Sequence, residues 1–269
     1  MRRLLATLAL LALGLPAFAG PMADRCRDDK GQIENAVAFC LQALRMERLD
    51  GAERAAVHLR LGDLFYTLRR TPQAIEMYDA AAAEDPSRVE IFIGRAKAHA
   101  RLGDDQAALA DYASALQLRP AHVGARNARG VFFLERDAPE RAIEDFELAL
   151  AADPDNGDLW FNRGLAARKL GRAGEAVRDF SAAIRANDGD AAAWLNRGLA
   201  QADNNPEQAI SDMTAAIRKA PEYAEAFAER GRLREALGRT GPANQDFMRA
   251  FELGYQAEWL VERINNLRR

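Results

Sequence analysis

Cysteine and histidine are scarce in this chain of 269 residues, which contains two cysteines and three histidines. Zinc sites draw three or four ligands mainly from these residue types. The histidines, His58, His99 and His122, lie apart from one another and from both cysteines, so we predict no metal site. A Gly-rich phosphate loop, a His-Glu metal motif and a nucleophile elbow are all missing, so we expect no cofactor and no catalytic residues. These absences favour a protein that is not an enzyme.

An excess of basic residues is also missing. Lysine and arginine total 37 against 40 acidic residues, for a net charge of −3. Nucleic-acid binding needs a basic face, so we expect no nucleic-acid partner. A membrane-spanning helix needs about 20 apolar residues. No stretch beyond the N-terminus is apolar for that long, so we predict no integral membrane span in the mature chain.

The single long apolar run lies at the N-terminus. Residues 4–15 follow two arginines and precede the small-residue pattern Ala17-Phe18-Ala19. This arrangement is typical of a secretory signal peptide. We therefore predict a signal peptide at residues 1–19, cleaved after Ala19, and an exported protein, most simply in the periplasm. The alternative is an uncleaved signal that anchors the chain in a membrane.

Both cysteines, Cys26 and Cys40, lie in the segment that follows this signal. An even number of nearby cysteines in an exported chain indicates a disulfide. In the chain-entropy model, closing a loop of this size stabilises the fold by about 3 kcal/mol. We predict one structural disulfide between them.

Small and large residues recur throughout the rest of the chain at a fixed spacing. Within residues 157–188, Gly164 is followed by Ala176, Phe180 and Ala183. The same frame occurs six times with a period of 34 residues, except that the fifth copy is one residue shorter. A small side chain allows two helices to approach closely, and the large side chain fills the space beside it. Each copy is thus a pair of helices that buries its apolar stripe against its neighbours.

A 34-residue helix–turn–helix repeat with these small and aromatic positions resembles the tetratricopeptide repeat (TPR) family. The resemblance implies an all-α fold, a right-handed α-solenoid of TPR helix–turn–helix repeats with N- and C-terminal capping helices. The six predicted repeats are residues 55–88, 89–122, 123–156, 157–190, 191–223 and 224–257.

The segments at either end of the repeats are predicted to form the caps. In residues 20–54, a helix at residues 32–47 is expected to stack on the first repeat, and Asp50 with Glu53 predicts a capping box. In residues 257–269, one helical face carries apolar residues, as a terminal cap requires. Those residues are Trp259, Leu260, Ile264 and Leu267.

Proline marks the ends of most second helices, since proline cannot continue a helix. In the fourth copy Asp188 replaces this proline, and in the sixth copy Tyr255 does. We expect those two helix ends to be less sharply specified. The prolines are Pro86, Pro120, Pro154 and Pro221.

An arginine precedes the small residue and an aspartate precedes the large residue in each of the last five copies. In the first copy both change together, to Leu61 and Met77. A joint change from an ion pair to an apolar pair indicates that the two positions touch, because an unpaired buried charge is costly. The predicted structural ion pairs are Arg95/Asp111, Arg129/Asp145, Arg163/Asp179, Arg197/Asp212 and Arg230/Asp246.

The TPR resemblance also implies a binding groove, because first helices line the concave face of such solenoids. Side chains that flank the small residue are expected to point into it, whereas His58 and His99 are expected as hydrogen-bonded core histidines. The predicted groove residues are Asp158, Phe161, Asn162, Leu165, Arg168, Lys169, Leu195, Asn196, Leu199, Glu225, Glu229, Arg232, Arg60, Lys97 and Arg101.

Two asparagines, Asn162 and Asn196, each precede the glycine by two residues, as W-x-N-x-G. Their amides can bind an extended backbone through a donor and an acceptor. The alternative is that both only satisfy neighbouring backbone groups.

The charges of the predicted groove differ between its ends. TPR domains that clamp a carboxylate carry basic residues where this chain has Glu225 and Glu229, so a basic or neutral segment is expected there. Arg60, Lys97 and Arg101 indicate the opposite preference at the other end.

Together these features predict a non-catalytic scaffold or adaptor of the bacterial cell envelope that binds a protein or peptide in the concave groove. The alternative is a structural scaffold that self-associates through its end caps or its convex face.

Overall fold

The computed structural model describes residues 21–28 and 31–267. The predicted signal peptide, residues 1–19, lies outside the described residues. Within them every regular element is an α-helix, which confirms the all-α prediction. The helices are α1 Pro21–Asp28, α2 Ile33–Met46, α3 Gly51–Thr67, α4 Thr71–Glu84, α5 Val89–Leu102, α6 Asp105–Leu118, α7 Val123–Glu135, α8 Pro139–Ala152, α9 Gly157–Lys169, α10 Ala173–Ala186, α11 Ala191–Gln201, α12 Pro206–Lys219, α13 Ala224–Ala236, α14 Thr240–Glu252 and α15 Glu258–Leu267.

The helices form two compact units, one from α1 to α6 and one from α7 to α15, with the boundary at Pro120. From α3 to α14, consecutive helices pack as antiparallel pairs, and each pair is one repeat. The first repeat begins earlier than residue 55, because α3 starts at Gly51. The Asp50 carboxylate accepts the Glu53 N–H while the Glu53 carboxylate accepts the Asp50 N–H, so the predicted capping box is present.

The contact between the large and small residues explains the repeated glycines. Phe146 and Phe180 are fully buried. A Cβ placed on Gly130 would lie 2.5 Å from the Phe146 ring, and one on Gly164 would lie 2.9 Å from the Phe180 ring. Those distances are too short for non-bonded carbon atoms in a close-packed interior. Glycine therefore allows the first helix to lie directly against the aromatic ring.

The end of α10 is as regular as the ends of the second helices that precede a proline. Its cap residue, Asn187, donates its N–H to Ala183 O, as Asp153 donates to Ala149 O at the end of α8. The expectation of a less sharply specified end at Asp188 was wrong. The helix already stops in an extended cap residue, so the following proline is not required for termination.

The segment before the first repeat is a pair of helices joined by a disulfide. Cys26 on α1 and Cys40 on α2 are bonded to each other, as predicted, and both are fully buried. Sequence reasoning missed α1, which is short and buries little besides Ala23 and Cys26. The Glu47 carboxylate accepts the first N–H groups of α1, which fixes the start of this helix.

The last helix, α15, packs on α14. Leu260 and Ile264 are fully buried, and the Trp259 ring lies 5.6 Å from that of Phe247 in an edge-on arrangement. The Leu267 side chain lies outside what the structure describes. The apolar face of α15 thus covers the core of the sixth repeat.

Each of the five arginine–aspartate pairs is in contact through two parallel hydrogen bonds. In the fourth repeat, Arg163 Nε donates to Asp179 Oδ2 at 2.9 Å and Arg163 Nη2 to Asp179 Oδ1 at 2.7 Å. The Asp179 side chain is 6% exposed and that of Arg163 22%. Hydrogen bonding to Asp179 is the main reason that the pKa of Arg163 is raised. In the first repeat, Leu61 and Met77 pack in one apolar cluster instead.

The other four paired aspartates are as deeply buried as Asp179, and each accepts from Nε and Nη2 of its arginine in the same way. These carboxylates therefore lie in the core between the two helices of a repeat, and none of them belongs to an accessible binding surface. Their exposed fractions are 5% for Asp111, 2% for Asp145, 1% for Asp212 and 3% for Asp246.

The prediction of simple pairs was incomplete for these four aspartates, because each has a further polar neighbour. A carboxylate offers about four acceptor sites, so two bonds from an arginine leave room for another donor. The sequence frame did not indicate these donors, since they lie at different offsets from the aspartate. They are Arg126 Nη1 to Asp145 at 3.1 Å, Gln201 Nε2 to Asp212 at 2.7 Å and Arg234 Nη1 to Asp246 at 2.8 Å, with His99 Nε2 at 4.0 Å from Asp111 Oδ2.

Three of the paired arginines also reach the second helix of the preceding repeat. Arg197 Nη1 donates to Ser181 Oγ at 3.1 Å, and Arg230 Nη1 to Thr214 Oγ1 at 2.9 Å. Arg95 Nη1 donates to Asp79 in the same way. Such an arginine therefore joins its own helix pair to the previous one, a role that the sequence pattern did not indicate.

We predict that native, unreduced protein from an oxidising compartment has no titratable thiol. Replacing both cysteines, Cys26→Ala with Cys40→Ala, should destabilise the fold by about 3 kcal/mol, because the unfolded chain loses its cross-link. Thiol titration and urea unfolding measure the two effects. Two titratable thiols before reduction would contradict the disulfide.

We predict that Arg163→Leu lowers the free energy of unfolding by about 3–5 kcal/mol, because it leaves the buried Asp179 carboxylate unpaired. Adding Asp179→Met should restore most of this loss, since the first repeat carries Leu and Met at these positions. Chemical denaturation of both single variants and the double variant provides the measurement.

The matched control is Arg249→Leu, which breaks the exposed pair with Glu252. Exposed pairs contribute at most about 1 kcal/mol, so this change should be small. Strictly additive losses for Arg163→Leu and Asp179→Met would show that the buried pair contributes no coupling.

Candidate functional site

Four of the predicted groove residues line one pocket between the first helices α7 and α9, with a volume of about 590 Å³. Its floor is apolar and its rim is polar, as is usual for ligand pockets. Residues from α9 are Asn162, Leu165, Arg168 and Lys169, and residues from α7 are Val131, Leu134 and Glu135.

The polar groups of this pocket are held by contacts between α7 and α9. Asn162 Nδ2 donates to Asn127 Oδ1 at 2.9 Å, so the two amides pair across the helices. Lys169 Nζ lies 2.9 Å from Asp137 Oδ1 and donates to Leu134 O at 3.2 Å. The Lys169 charge is thereby compensated and its side chain is oriented.

Arg168 and Lys169 are both exposed, but the Arg168 side chain has no hydrogen-bond or ion-pair partner among residues 21–28 and 31–267. Its guanidinium presents five N–H donors and a permanent positive charge. Arg168 is thus the cation of this pocket that is available to a ligand. Asn127 keeps both of its N–H donors available, because the bond to Asn162 uses only its oxygen.

Five other predicted groove residues of α9 and α11, Asn196 among them, do not line this pocket. Phe161 is partly buried, with its ring 5.6 Å from that of Phe180, and Asp158 is exposed elsewhere on α9. Leu195 is 1% exposed and belongs to the core beside Met213, so its assignment to the groove was wrong. Leu199 is partly buried against the same cluster.

The burial of Leu195 depends on contacts between helices. Leu195 precedes Gly198 by three residues, as Ile93 precedes Ala96, yet Ile93 lines a pocket whereas Leu195 packs in the cluster around Met213. The spacing alone therefore does not decide whether this position is buried.

The two asparagines of the W-x-N-x-G pattern have different environments. Asn196 Nδ2 donates to Ala192 O in its own helix at 2.9 Å, so Asn196 satisfies local backbone. Asn162 instead pairs with a neighbouring first helix. The alternative of a purely local role therefore holds for Asn196 and fails for Asn162.

The acidic residues expected near the sixth repeat are only partly available. Glu229 accepts hydrogen bonds from Arg232, whose guanidinium also lies 5.4 Å from the Trp259 ring centre. Glu225 is exposed. The charges of Glu229 and Arg232 therefore compensate each other.

In the unit from α1 to α6, two of the three predicted groove cations hold helices together. Arg60 Nε donates to Cys26 O at 3.4 Å, and Arg101 donates to Tyr66 O while its guanidinium stacks on the Tyr66 ring. Lys97 is exposed and lines a smaller pocket. Two of the three cations on which the expected preference for an acidic ligand rested are thus engaged within the fold.

The histidines have no metal site around them. No cluster of metal-ligating side chains occurs in the part of the chain that the structure describes. His58 is half-buried, and its Nδ1 is buried without a hydrogen-bond partner, so the expected satisfied core histidine was wrong there. Burial, and next the charge of Arg54, lower the pKa of His58. None of the helices between residues 21 and 267 is long and apolar enough to cross a membrane.

The fold and this arrangement of first helices define an all-α repeat protein. The model of the tetratricopeptide repeat matches residues 27–89, 59–122, 93–157 and 161–205. The chain belongs to the tetratricopeptide-repeat family. This family implies protein or peptide partners, and in that general sense the chain is a protein-interaction scaffold.

Curated relatives match only the repeats. The human protein O-mannosyl-transferase TMTC3 is 27% identical over 151 residues, which cover 50% of this chain and 16% of that protein. The human DnaJ homolog subfamily C member 3 is 28% identical over 101 residues, covering 38% of this chain and 20% of that protein. The chain thus spans a fifth or less of the length of either relative.

Solved structures share the fold at low sequence identity. A tetratricopeptide repeat protein from Parabacteroides merdae has a TM-score of 0.67 at 22% identity, covering 90% of this chain and 95% of its own. PilW, a type IV pilus biogenesis factor, has a TM-score of 0.71 at 18% identity, and the match covers 78% of this chain and 98% of PilW. YrrB, a TPR protein with an unusual peptide-binding site, has a TM-score of 0.57 at 23% identity, and the match covers 70% of this chain and 97% of YrrB.

We predict that Leu195→Ala lowers the free energy of unfolding by about 2–5 kcal/mol, as expected for a leucine deleted from a core. The control Leu148→Ala, at a side chain 52% exposed, should change it by less than about 0.5 kcal/mol. Urea unfolding of both variants provides the measurement. Small and equal losses of stability in the two variants would contradict the burial of the Leu195 side chain.

Proposed function

We propose that the pocket between α7 and α9 binds an extended segment of a protein partner, so that the chain works as a non-catalytic adaptor. The observation that carries this proposal is the pocket itself, with apolar side chains on its floor and an available amide and guanidinium beside them. An apolar floor supplies affinity, and a few oriented polar groups supply direction and specificity.

The amide pair suits the backbone of a bound segment. The Asn127 N–H donors and the Asn162 carbonyl oxygen are not used by the bond that joins these residues. They can donate and accept hydrogen bonds with a peptide group irrespective of its side chain. An aliphatic side chain of the ligand would then contact Leu134 and Leu165, and Arg168 would favour a nearby carboxylate or carbonyl oxygen.

The proposed location is the bacterial cell envelope, most simply the periplasm. The disulfide between Cys26 and Cys40 is compatible with an oxidising, extracytoplasmic compartment. The apolar segment at residues 4–15, with its basic start, supports export by a signal peptide. A likeness in fold to PilW, a pilus biogenesis factor, is consistent with this setting.

The test is capture of partners from envelope extract, followed by affinity measurement with the captured segment as a synthetic peptide. We predict that Asn162→Ala weakens binding by about 1–3 kcal/mol, the cost of leaving polar groups unpaired. Arg168→Ala should weaken it by a similar amount if a carboxylate is bound. Calorimetric titration and a thermal-unfolding scan separate binding from stability.

Asn196→Ala is the matched control, since its amide bonds only to its own helix. It should leave peptide affinity unchanged. Full affinity in a folded Asn162→Ala, Arg168→Ala double variant would overturn the proposal. A concentration-independent oligomer in light scattering, with no captured partner, would favour the self-associating scaffold instead.

A further inference from the structure

A buried tyrosine reaches the first-helix side of the unit from α1 to α6. Tyr78 occupies the large position of the first repeat, and the residue is 1% exposed. A Cβ on Gly62 would lie 2.5 Å from this ring, and one on Gly94 would lie 2.7 Å from it. The ring therefore passes between α3 and α5, which only glycine at both positions allows.

The hydroxyl of this tyrosine is hydrogen-bonded to a carboxylate. Tyr78 Oη donates to Asp63 Oδ1 at 2.9 Å. Burial, and next the charge of Asp63, raise the pKa of Tyr78 far above its usual value, so the phenol stays protonated and acts as a donor. Asp63 is an exposed residue of α3, and its second carboxylate oxygen accepts no hydrogen bond from the described residues. Partial burial of the carboxyl raises the pKa of Asp63, whereas the Tyr78 hydrogen bond and the charges of Arg60 and Lys97 favour its ionised form.

Asp63 and Tyr78 belong to a pocket of about 260 Å³ between α3 and α5. This volume is below the roughly 300–1,000 Å³ of small-molecule sites, and is suited to one side chain. The acidic and basic residues in its lining are Asp63, Glu90 and Lys97. Acidic charge therefore exceeds basic charge within the lining, with the apolar side chain of Ile93 beside it.

We propose that this pocket binds the lysine or arginine side chain of an extended peptide segment. The charged end of that side chain lies against Asp63, which the Tyr78 hydroxyl holds in place. The aliphatic stem contacts Ile93 and the Tyr66 ring, and Lys97 at the rim is the one lining cation, which opposes the charge of the bound side chain. This site is separate from the pocket between α7 and α9, so neither proposal depends on the other.

The charges around the site set its selectivity. Charge-assisted hydrogen bonds between a carboxylate and an ammonium or guanidinium are about twice as strong as neutral ones. The nearby cations Arg60 and Arg101 donate to Cys26 O and Tyr66 O and do not line this pocket, although the charge of Arg60 still acts on Asp63. An acidic ligand side chain would meet two carboxylates and be rejected.

The test uses the full chain with four blocked amino acids, the N-acetyl N-methylamides of lysine, arginine, norleucine and glutamate. Backbone amide chemical shifts are followed during each titration. The lysine and arginine compounds should give saturable shifts at residues 63–67 and 93–97, at least about tenfold tighter than the glutamate compound, because the charge interaction changes sign. Equal binding of lysine and norleucine, or no saturable shift with either basic compound, would overturn the proposal.

Single-residue variants then identify which side chains contact the ligand. Asp63→Asn should weaken binding of the lysine compound about tenfold or more, since it removes the charge. Lys97→Ala should strengthen it, because it removes the one lining cation. Tyr78→Phe keeps the ring that three other repeats have natively and should weaken binding less than Asp63→Asn.

Glu76→Gln is the control, an exposed carboxylate of α4 outside the pocket, and should leave binding unchanged. Unaltered affinity in Asp63→Asn would contradict the proposed site. If Asp63→Asn does not fold, Lys97→Ala decides the question. Weaker binding of the lysine compound by Lys97→Ala would show that Lys97 does not compete with the bound cation, and this result would overturn the proposal.

Discussion

The buried ion pair between the two helices of a repeat is the interaction on which the rest of the structure depends. Arg163 and Asp179 stand directly before Gly164 and Phe180, so their two parallel hydrogen bonds set the position at which the aromatic ring meets the glycine. Removing one partner would leave a buried charge, whereas replacing both is tolerated. The first repeat shows this tolerance, because it has an apolar pair instead.

The same frame position can be filled by different side chains that make the same contact. Trp160 Nε1 donates to Pro154 O in the linker before its helix, and Arg126, one period earlier, donates from Nε to Pro120 O. The shared requirement is an N–H donor that reaches the preceding linker. A pattern defined by aromatic residues alone therefore understates how regular the repeats are.

Binding surfaces arise where the repeats differ from one another. Asn162 faces an asparagine on a neighbouring first helix and pairs with it, whereas Asn196 bonds within its own helix. Near the first repeat, the glycines on both sides of Tyr78 let its hydroxyl reach Asp63. The repeats thus share the same packing in the core, whereas the pockets between their first helices differ in charge.

The sequence by itself determined the all-α repeat and the residues of the ion pairs, because each depends on a period or on a joint change at two positions. It also determined the disulfide pairing, because the chain has only two cysteines. Only the tertiary structure decided that Asp212 takes a further donor from Gln201, that Leu195 is buried and that Arg101 is held by Tyr66. These outcomes depend on contacts between different helices. Successive residues on a helix differ by about 100° in direction, so spacing alone cannot separate a groove position from a packed one beside it.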